Sequence, residues 1–307
     1  MSALLIPALA RVAPHLGLVD VGGEGDLKIH QRSIPLVGGL ALAAAVGAAL
    51  TFVGGLPRSA SALGLAVALV MGIVDDRHHL PPGVRLVLQG VCGLAIAAGY
   101  EAGLAAGIVI LTVAVMNGVN LLDGQDALAG GVVAIALLGM LGVGAAPGGT
   151  NDLVAAAVGG IAGFLLWNRP PARVFLGSGG AYALGALLVV VAAPRWTSMW
   201  TMVGLAACMT LPLYEVVATL LRRSLAPRKM FHGDRDHSYD VLARRLGRLR
   251  TTICFWALGA LCAGLGIGIA QLQGIVAGFL TAGLIAGLGV GSWWHIRAAR
   301  RPEPETR

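Results

Sequence analysis

Apolar residues fill this chain in long unbroken runs rather than in the stripes of a water-soluble helix. The runs cover 34–56, 60–74, 84–100, 103–116, 128–145, 153–167, 179–193, 199–221, 253–270 and 274–294. Runs of about 17–25 residues suit bilayer-spanning helices, and tilt or local thinning accommodates the shorter ones. Residues 3–18 offer a shortened eleventh, interrupted by Arg11, Pro14 and His15. The pattern predicts an all-α fold, a polytopic transmembrane helical bundle of ten or eleven spans. It reads as one integral membrane domain over 1–307, with 1–18 a short or degenerate first span. Residues 222–252 read as a long loop and 298–307 as a disordered tail.

Composition agrees: 57% of residues are hydrophobic, 12% are charged and mean hydropathy is +0.81. The N-terminus lacks the basic region, apolar core and small-residue cleavage site of a secretory signal, so no cleavable signal is expected. The charges sort the loops into two classes. One side collects Lys28, Arg32, Arg77, Arg85, Arg169, Arg173, nine basic residues in 222–250 and four from Arg297 onward, while the other has Arg58 and Arg195. The positive-inside rule makes the first side cytoplasmic. The net charge of +7 reflects this asymmetry and, without a basic soluble domain, argues against nucleic-acid binding. Cys92, Cys208, Cys254 and Cys262 lie inside apolar runs without metal-type spacing and read as small buried hydrophobes.

The polar clusters fall on the cytoplasmic side. They are Lys28-Ile29-His30 before Pro35-Leu36-Val37-Gly38-Gly39, the pair Asp75-Asp76, the stretch from Asn117 through Asn120 and Asp123 to Asp126, Asn168-Arg169-Pro170 leading to Phe175–Gly180, and the long loop with Arg228, Arg235 and His237. Carboxylates beside a membrane are costly and rarely idle. Asp and Asn oxygens suit Mg²⁺, which combines one or two protein groups with substrate phosphates. Lys28, Arg85, Arg228 and Arg235 offer charge for phosphates. A transporter needs polar groups near mid-bilayer, and the clear mid-span acid is Glu215. Glu215 reads as a buried hydrogen-bonded acid ahead of a shell member of the site, and the basic run 244–250 as a lipid-headgroup contact.

Together these motifs resemble the polyprenyl-phosphate N-acetylhexosamine-1-phosphate transferases, glycosyltransferase family 4, which include the phospho-N-acetylmuramoyl-pentapeptide transferases. The resemblance runs from Lys28 to about Gly247. It includes the lysine-histidine segment before Pro-x-x-Gly-Gly, the Asp-Asp pair followed by Leu80, Arg85 and Gln89, the Asn-x-x-Asn-x-x-Asp-Gly-x-Asp stretch, Asn168-x-Pro170 before Phe175-x-Gly177, and Leu211-Pro212 with Glu215. It implies transfer of a sugar 1-phosphate from a UDP-sugar to polyprenyl phosphate, releasing UMP and starting a lipid-linked envelope glycan in the plasma membrane. It also implies Mg²⁺, with Mn²⁺ as a substitute, contact with membrane lipids, and suits a homodimer. By resemblance, Asn120 is a metal ligand, Asp75 deprotonates or positions the lipid phosphate with Asp76 beside it, and Asp123 and Asp126 orient the nucleotide and support the metal. Asn117, Lys28, His30, Arg85, Arg228, Arg235 and His237 would meet substrate.

Two departures matter. The family's Phe-x-Gly is followed by a metal-ligand Asp, then x-Gly-Ser; here Ser178 stands at the Asp position and Ala181 at the Ser position. A working enzyme with an altered metal site and a catalytically impaired relative that binds polyprenyl phosphate or UDP-sugar are both compatible with that change. The long loop has His237-Ser238-Tyr239 in place of a histidine run. That variant resembles the envelope-polysaccharide members and disfavours a muramoyl-pentapeptide substrate.

Overall fold

The computed structural model describes residues 1–23, 32–53, 59–144, 146, 149–225 and 236–299. In chain order the elements are α1 (Ser2–Val12), β1 (Val19–Asp20), β2 (Ile34–Pro35), α2 (Gly38–Val53), α3 (Ser59–His78), α4 (Pro82–Ala97), α5 (Ala102–Leu122), α6 (Leu128–Val143), α7 (Thr150–Asn168), α8 (Gly177–Ala192), α9 (Met199–Cys208), α10 (Thr210–Ser224), α11 (Ser238–Leu246), α12 (Arg248–Leu272) and α13 (Gly274–Ala299). Among the described residues, six helices are long and apolar enough to cross a membrane, or seven if the bent pair α9–α10 counts as one. The helices α1, α2, α4 and α6 are apolar but shorter.

Three boundaries differ from the sequence reading. The run 199–221 is two helices bent by 74° at Met209. Continuous apolar character hides such a break, because both halves stay hydrophobic. The run 103–116 extends as helix to Leu122, so Asn117 and Asn120 are helical rather than in a loop. The segment 222–252 contains the end of α10, all of α11 and the first turns of α12. Residues 298 and 299 close α13, and the rest of the tail lies outside the described residues. Helix α1 is docked: the Ser2 hydroxyl donates to Gly160 O at 2.7 Å and Trp167 Nε1 donates to Ala3 O at 3.0 Å.

Helix α8 is the centre of the bundle. From Gly179 to Ala192 every residue but Ala183 is buried. A helix hydrophobic all round belongs in such a position. Its first turn is glycine-rich because neighbours press on it: a Cβ on Gly39 would collide with Gly180, and one on Gly72 with Gly179. Small residues thus bring α2 and α3 against the start of α8. Backbone bonds lock the same corner, with Gly38 N donating to Phe175 O, Gly39 N to Leu176 O, each at 3.0 Å, and Phe175 N to Pro35 O at 2.9 Å. The peripheral α13 is the opposite case, with 6% of its apolar window buried.

Candidate active site

The C-terminal ends of α3, α5 and α7 and the N-terminal ends of α8, α11 and α12 converge at one end of the bundle. They enclose a cavity of about 620 Å³ whose lining includes Asp20, Asp76, Asn120, Asp123, Gln125, Asp126, Asn168, Ser178, His237, Tyr239, Asp240 and Arg248. Of the sequence candidates, Asp76, Asn120, Asp123, Asp126, Ser178 and His237 therefore share one space. Lys28, His30, Arg228 and Arg235 lie outside the described residues. Asp75, Arg85 and Asn117 are not part of the lining and stand behind it.

Asp76 faces the cavity from the last turn of α3. Its Oδ1 accepts the Ser178 N–H at 2.9 Å and its Oδ2 the Gly179 N–H at 3.3 Å. The Ser178 hydroxyl reaches the same carboxylate. This is a carboxylate at a helix N-terminus, where unpaired N–H groups and the helix dipole favour an anion. Gly177 makes the approach possible: it adopts φ +74°, and a Cβ there would stand 2.7 Å from Asp76 Oδ2. Asp75 points elsewhere and is buried. It accepts the Leu80 N–H at 2.9 Å and the Tyr182 hydroxyl at 3.2 Å, and lies 3.5 Å from Arg85 Nη1. Asn117 donates to Gln89 Oε1 at 2.6 Å, between α4 and α5.

Beyond Leu122 the chain runs through Asp123 to Ala127 and is held on two sides. Asn168 accepts the Ala127 N–H at 2.8 Å and donates to Val174 O at 2.9 Å, while Asp126 Oδ2 accepts the Ala172 N–H at 3.0 Å. Ala127 sits at φ +61°, a conformation that a non-glycine residue keeps only when its surroundings enforce it. Toward α12, Gln125 Nε2 donates to Arg248 O at 3.0 Å and Thr252 Oγ1 at 2.7 Å, and Trp256 Nε1 of α12 donates to Ala127 O at 3.2 Å. The clamped Asp123 lies among carboxylates. Burial, with the nearby charges of Asp76 and Asp126, pushes its carboxyl well above the ordinary range.

The opposite wall comes from α10 and α11. His237 precedes α11 and stacks on Tyr239, centroids 5.5 Å apart and planes 7° from parallel. The Tyr239 hydroxyl occupies the space a Cβ on Gly124 would need. His237 Nδ1 lies 2.9 Å from Glu215 Oε1. Glu215 is the buried hydrogen-bonded acid the sequence suggested, and its partner His237 lines the cavity. The run 244–250 reads from sequence as a headgroup contact, whereas Arg248 belongs to the cavity lining. Asp20, Gln125, Tyr239, Asp240 and the Asp75 partner Tyr182 were also missed. The one usable signal was Tyr239, Leu242 and Leu246 at i, i+3 and i+7, the spacing of a two-faced helix.

Among the described residues no three His, Cys, Asp or Glu side chains form a ready-made metal cage. The donor set still suits a hard divalent cation. Mg²⁺ commonly takes one or two protein oxygens and completes its shell with water and substrate phosphates. Asp76, Asn120 and Asp123 offer those oxygens at one cavity.

Residues 59–194 match the family described as glycosyl transferase family 4. The chain is 26% identical over 283 residues to a probable undecaprenyl-phosphate N-acetylglucosaminyl 1-phosphate transferase of Bacillus subtilis, covering 83% of this chain and 78% of that one. It is 27% identical over 235 residues to the undecaprenyl-phosphate alpha-N-acetylglucosaminyl 1-phosphate transferase of Thermotoga maritima, covering 74% of each. It is 31% identical over 216 residues to a phospho-N-acetylmuramoyl-pentapeptide-transferase of Desulforudis audaxviator, covering 70% of this chain and 63% of that one.

Proposed function

We infer that this chain, which belongs to glycosyl transferase family 4, is a membrane enzyme that transfers a sugar 1-phosphate from a nucleotide sugar to polyprenyl phosphate. The finer reading is a UDP-N-acetylhexosamine donor, UMP as the leaving product and a lipid-linked envelope glycan as the destination. The observation that carries it is the gathering of Asp76, Asn120, Asp123 and Asp126 around one cavity at the bundle end. By the charge asymmetry that end faces the cytoplasm across the plasma membrane, in a bundle of ten or eleven spans counting the short helices. A homodimer in contact with membrane lipids fits this reading.

The transfer joins a lipid phosphate oxygen to the β-phosphorus of the donor and breaks the bond from that phosphorus to the oxygen bridging it to the α-phosphate, leaving UMP. Asp123 and Asn120, one turn apart, would hold Mg²⁺ or Mn²⁺ with Asp76. A bound ion supplies charge neutralisation and polarises the phosphoryl oxygens. Ser178 contributes at most a neutral hydroxyl, and Asp76, bonded to the Ser178 N–H, restores a carboxylate at the same helix end. Arg248 and His237 on the cavity wall would meet the donor diphosphate. Arg85, 3.5 Å from Asp75 and outside the cavity lining, would meet the lipid phosphate on its approach rather than at the reacting centre, and Asp126 keeps the Asp123–Ala127 segment against Ala172. Lys28, His30, Arg228 and Arg235 would add cations around the donor.

The test is UMP release by purified protein in detergent with Mg²⁺, undecaprenyl phosphate and a panel of UDP-N-acetylhexosamines, beside Asp76→Ala and Asp123→Ala. Turnover in the parent that both substitutions abolish supports the transferase. Ser178 keeps one second reading open, an impaired member that binds its ligands. A silent parent that gains turnover as Ser178→Asp would decide for that reading.

A further inference from the structure

Behind the cavity wall lies a buried acid that the transfer itself does not use. Glu215, in α10, is 0% exposed. Its Oε1 accepts from His237 Nδ1 at 2.9 Å and from the Ser238 N–H at 3.2 Å, and its Oε2 accepts the Ser238 hydroxyl. One turn further along α10, Thr219 Oγ1 lies 3.5 Å from the same imidazole nitrogen. The stacked Tyr239 fixes the ring plane, and Tyr239 is itself seated over Gly124. The ring of His237 is therefore held by α10, by its own helix and by the acidic segment. With Nδ1 engaged at the back, Nε2 is the nitrogen left for the cavity that His237 lines.

A carboxylate is a poor choice for filling space here. Apolar side chains of similar volume commonly pack in such places with equal or better stability. A carboxylate can, however, select which imidazole nitrogen carries the proton and where the other one points. We infer that Glu215 is a positioning residue that holds His237 with Nδ1–H on the carboxylate and Nε2 presented to the phosphate-bearing substrate. The inference rests on the reading of the cavity as a phosphoryl-transfer site. Its rival is a purely structural role, in which Glu215 only caps α11 through Ser238.

The experiment compares Glu215→Leu, Glu215→Gln, His237→Ala and the double variant Glu215→Leu/His237→Ala, using UMP release and ¹⁵N spectra of histidine-labelled protein in detergent. Misplacing a catalytic group costs up to ~10²-fold in rate, so Glu215→Leu should lower kcat by about that factor with KM within about twofold. Glu215→Gln, which keeps an acceptor oxygen, should recover most of the loss. In the His237→Ala background Glu215→Leu should cost less than about twofold, since its partner is already gone. The His237 signal should show a protonated Nδ1 in the parent and move to the Nε2–H tautomer in Glu215→Leu. If Glu215→Leu does not fold, Glu215→Asp, which withdraws the carboxylate by one methylene, makes the same comparison. Losses that multiply in the double variant, with an unchanged His237 tautomer, would overturn the inference and leave a helix cap. A parent without turnover would count against the transferase reading alone, because the ¹⁵N comparison still decides whether Glu215 sets the imidazole.

Discussion

A charged side chain from outside helix α8 meets each of its ends, Asp76 of α3 at the first turn and Arg195 just past the last, and the two are used differently. At the C-terminal end Arg195 is 1% exposed, and its guanidinium donates to Gly144 O at 3.0 Å, Val191 O at 2.7 Å and Asn151 Oδ1 at 2.6 Å. At the N-terminal end Asp76 accepts two backbone N–H groups and still lines a cavity that holds Asn120, Asp123 and Asp126. Both charges match the sign of the helix end they occupy. Arg195 meets protein acceptors from three segments and acts as a clasp. Asp76 keeps capacity for a further partner and sits among other groups that do the same. Arg195 is buried and Asp76 half-buried, and the chemical charge is the one with bonding capacity left over.

The comparison predicts opposite phenotypes at the two ends. Asp123→Asn should lower UMP release by ~10³-fold, the scale of a lost phosphate-stabilising or metal-binding group, while the thermal midpoint in detergent stays level or rises. A fall in midpoint that tracked the activity would erase the distinction. Arg195→Met should do the reverse. It removes three hydrogen bonds, one to a buried acceptor and two to part-buried ones, and should cost ~2 kcal/mol, read as a lower midpoint with unchanged turnover per folded molecule. Gly180→Ala tests the packing between the two ends. Its added methyl meets Leu176 and Gly39, and overpacking should cost ~2 kcal/mol, with α2 and the Asp76 cap shifted and turnover reduced with stability. Ser178→Asp should sharpen the chemical end by adding a second carboxylate beside Asp76. Half-saturating Mg²⁺ should fall ~10-fold, or about 1.4 kcal/mol, and an unmoved metal titration would place the ion away from the α8 N-terminus.

The smallest effect concerns pH. The raised Asp123 carboxyl keeps its proton above the ordinary carboxylate value. Between those two values the folded state binds more protons than the unfolded one, so stability falls as pH rises through that window, by at most ~1.4 kcal/mol per unit. Mg²⁺ should oppose that fall by supplying the charge the proton had supplied. Midpoints measured across that window with and without Mg²⁺ check both signs, and a stability that rises with pH in metal-free buffer would contradict them.

The helices were legible because apolar length is a one-dimensional property. Asp76, Asn120, Asp123 and Asp126 were legible as a motif because they stand at the ends of apolar runs, where a polar side chain needs a reason. The bend at Met209 was not, since both halves of the run are equally apolar. Nor was the division between Asp75 and Asp76. Adjacent residues on a helix differ by about 100° in direction, and only the packed neighbours Tyr182 and Arg85 decide which of the two turns inward. Arg248 was misread, and the partners of the buried Glu215 were not legible, for a related reason: each meets its partners across a large separation in sequence, where local pattern carries no information. Arg195 reads from sequence as a loop charge because two of its three acceptors, Gly144 and Asn151, lie on other segments.

The fastening of the Asp123–Ala127 segment by α12 bears on biogenesis. The bonds from Gln125 to Arg248 and Thr252 join residues 123 and 127 positions apart, and the Tyr239 ring closes over Gly124 from a comparable distance. Contacts of such separation form late in folding, and a chain emerging from the ribosome inserts its N-terminal helices first. A nascent chain that already holds Asp76, Asn120 and Asp123 therefore lacks the wall that completes their cavity. The enzyme's competence arrives with its last third, so an arrested or truncated product would occupy the membrane without drawing on the lipid phosphate pool.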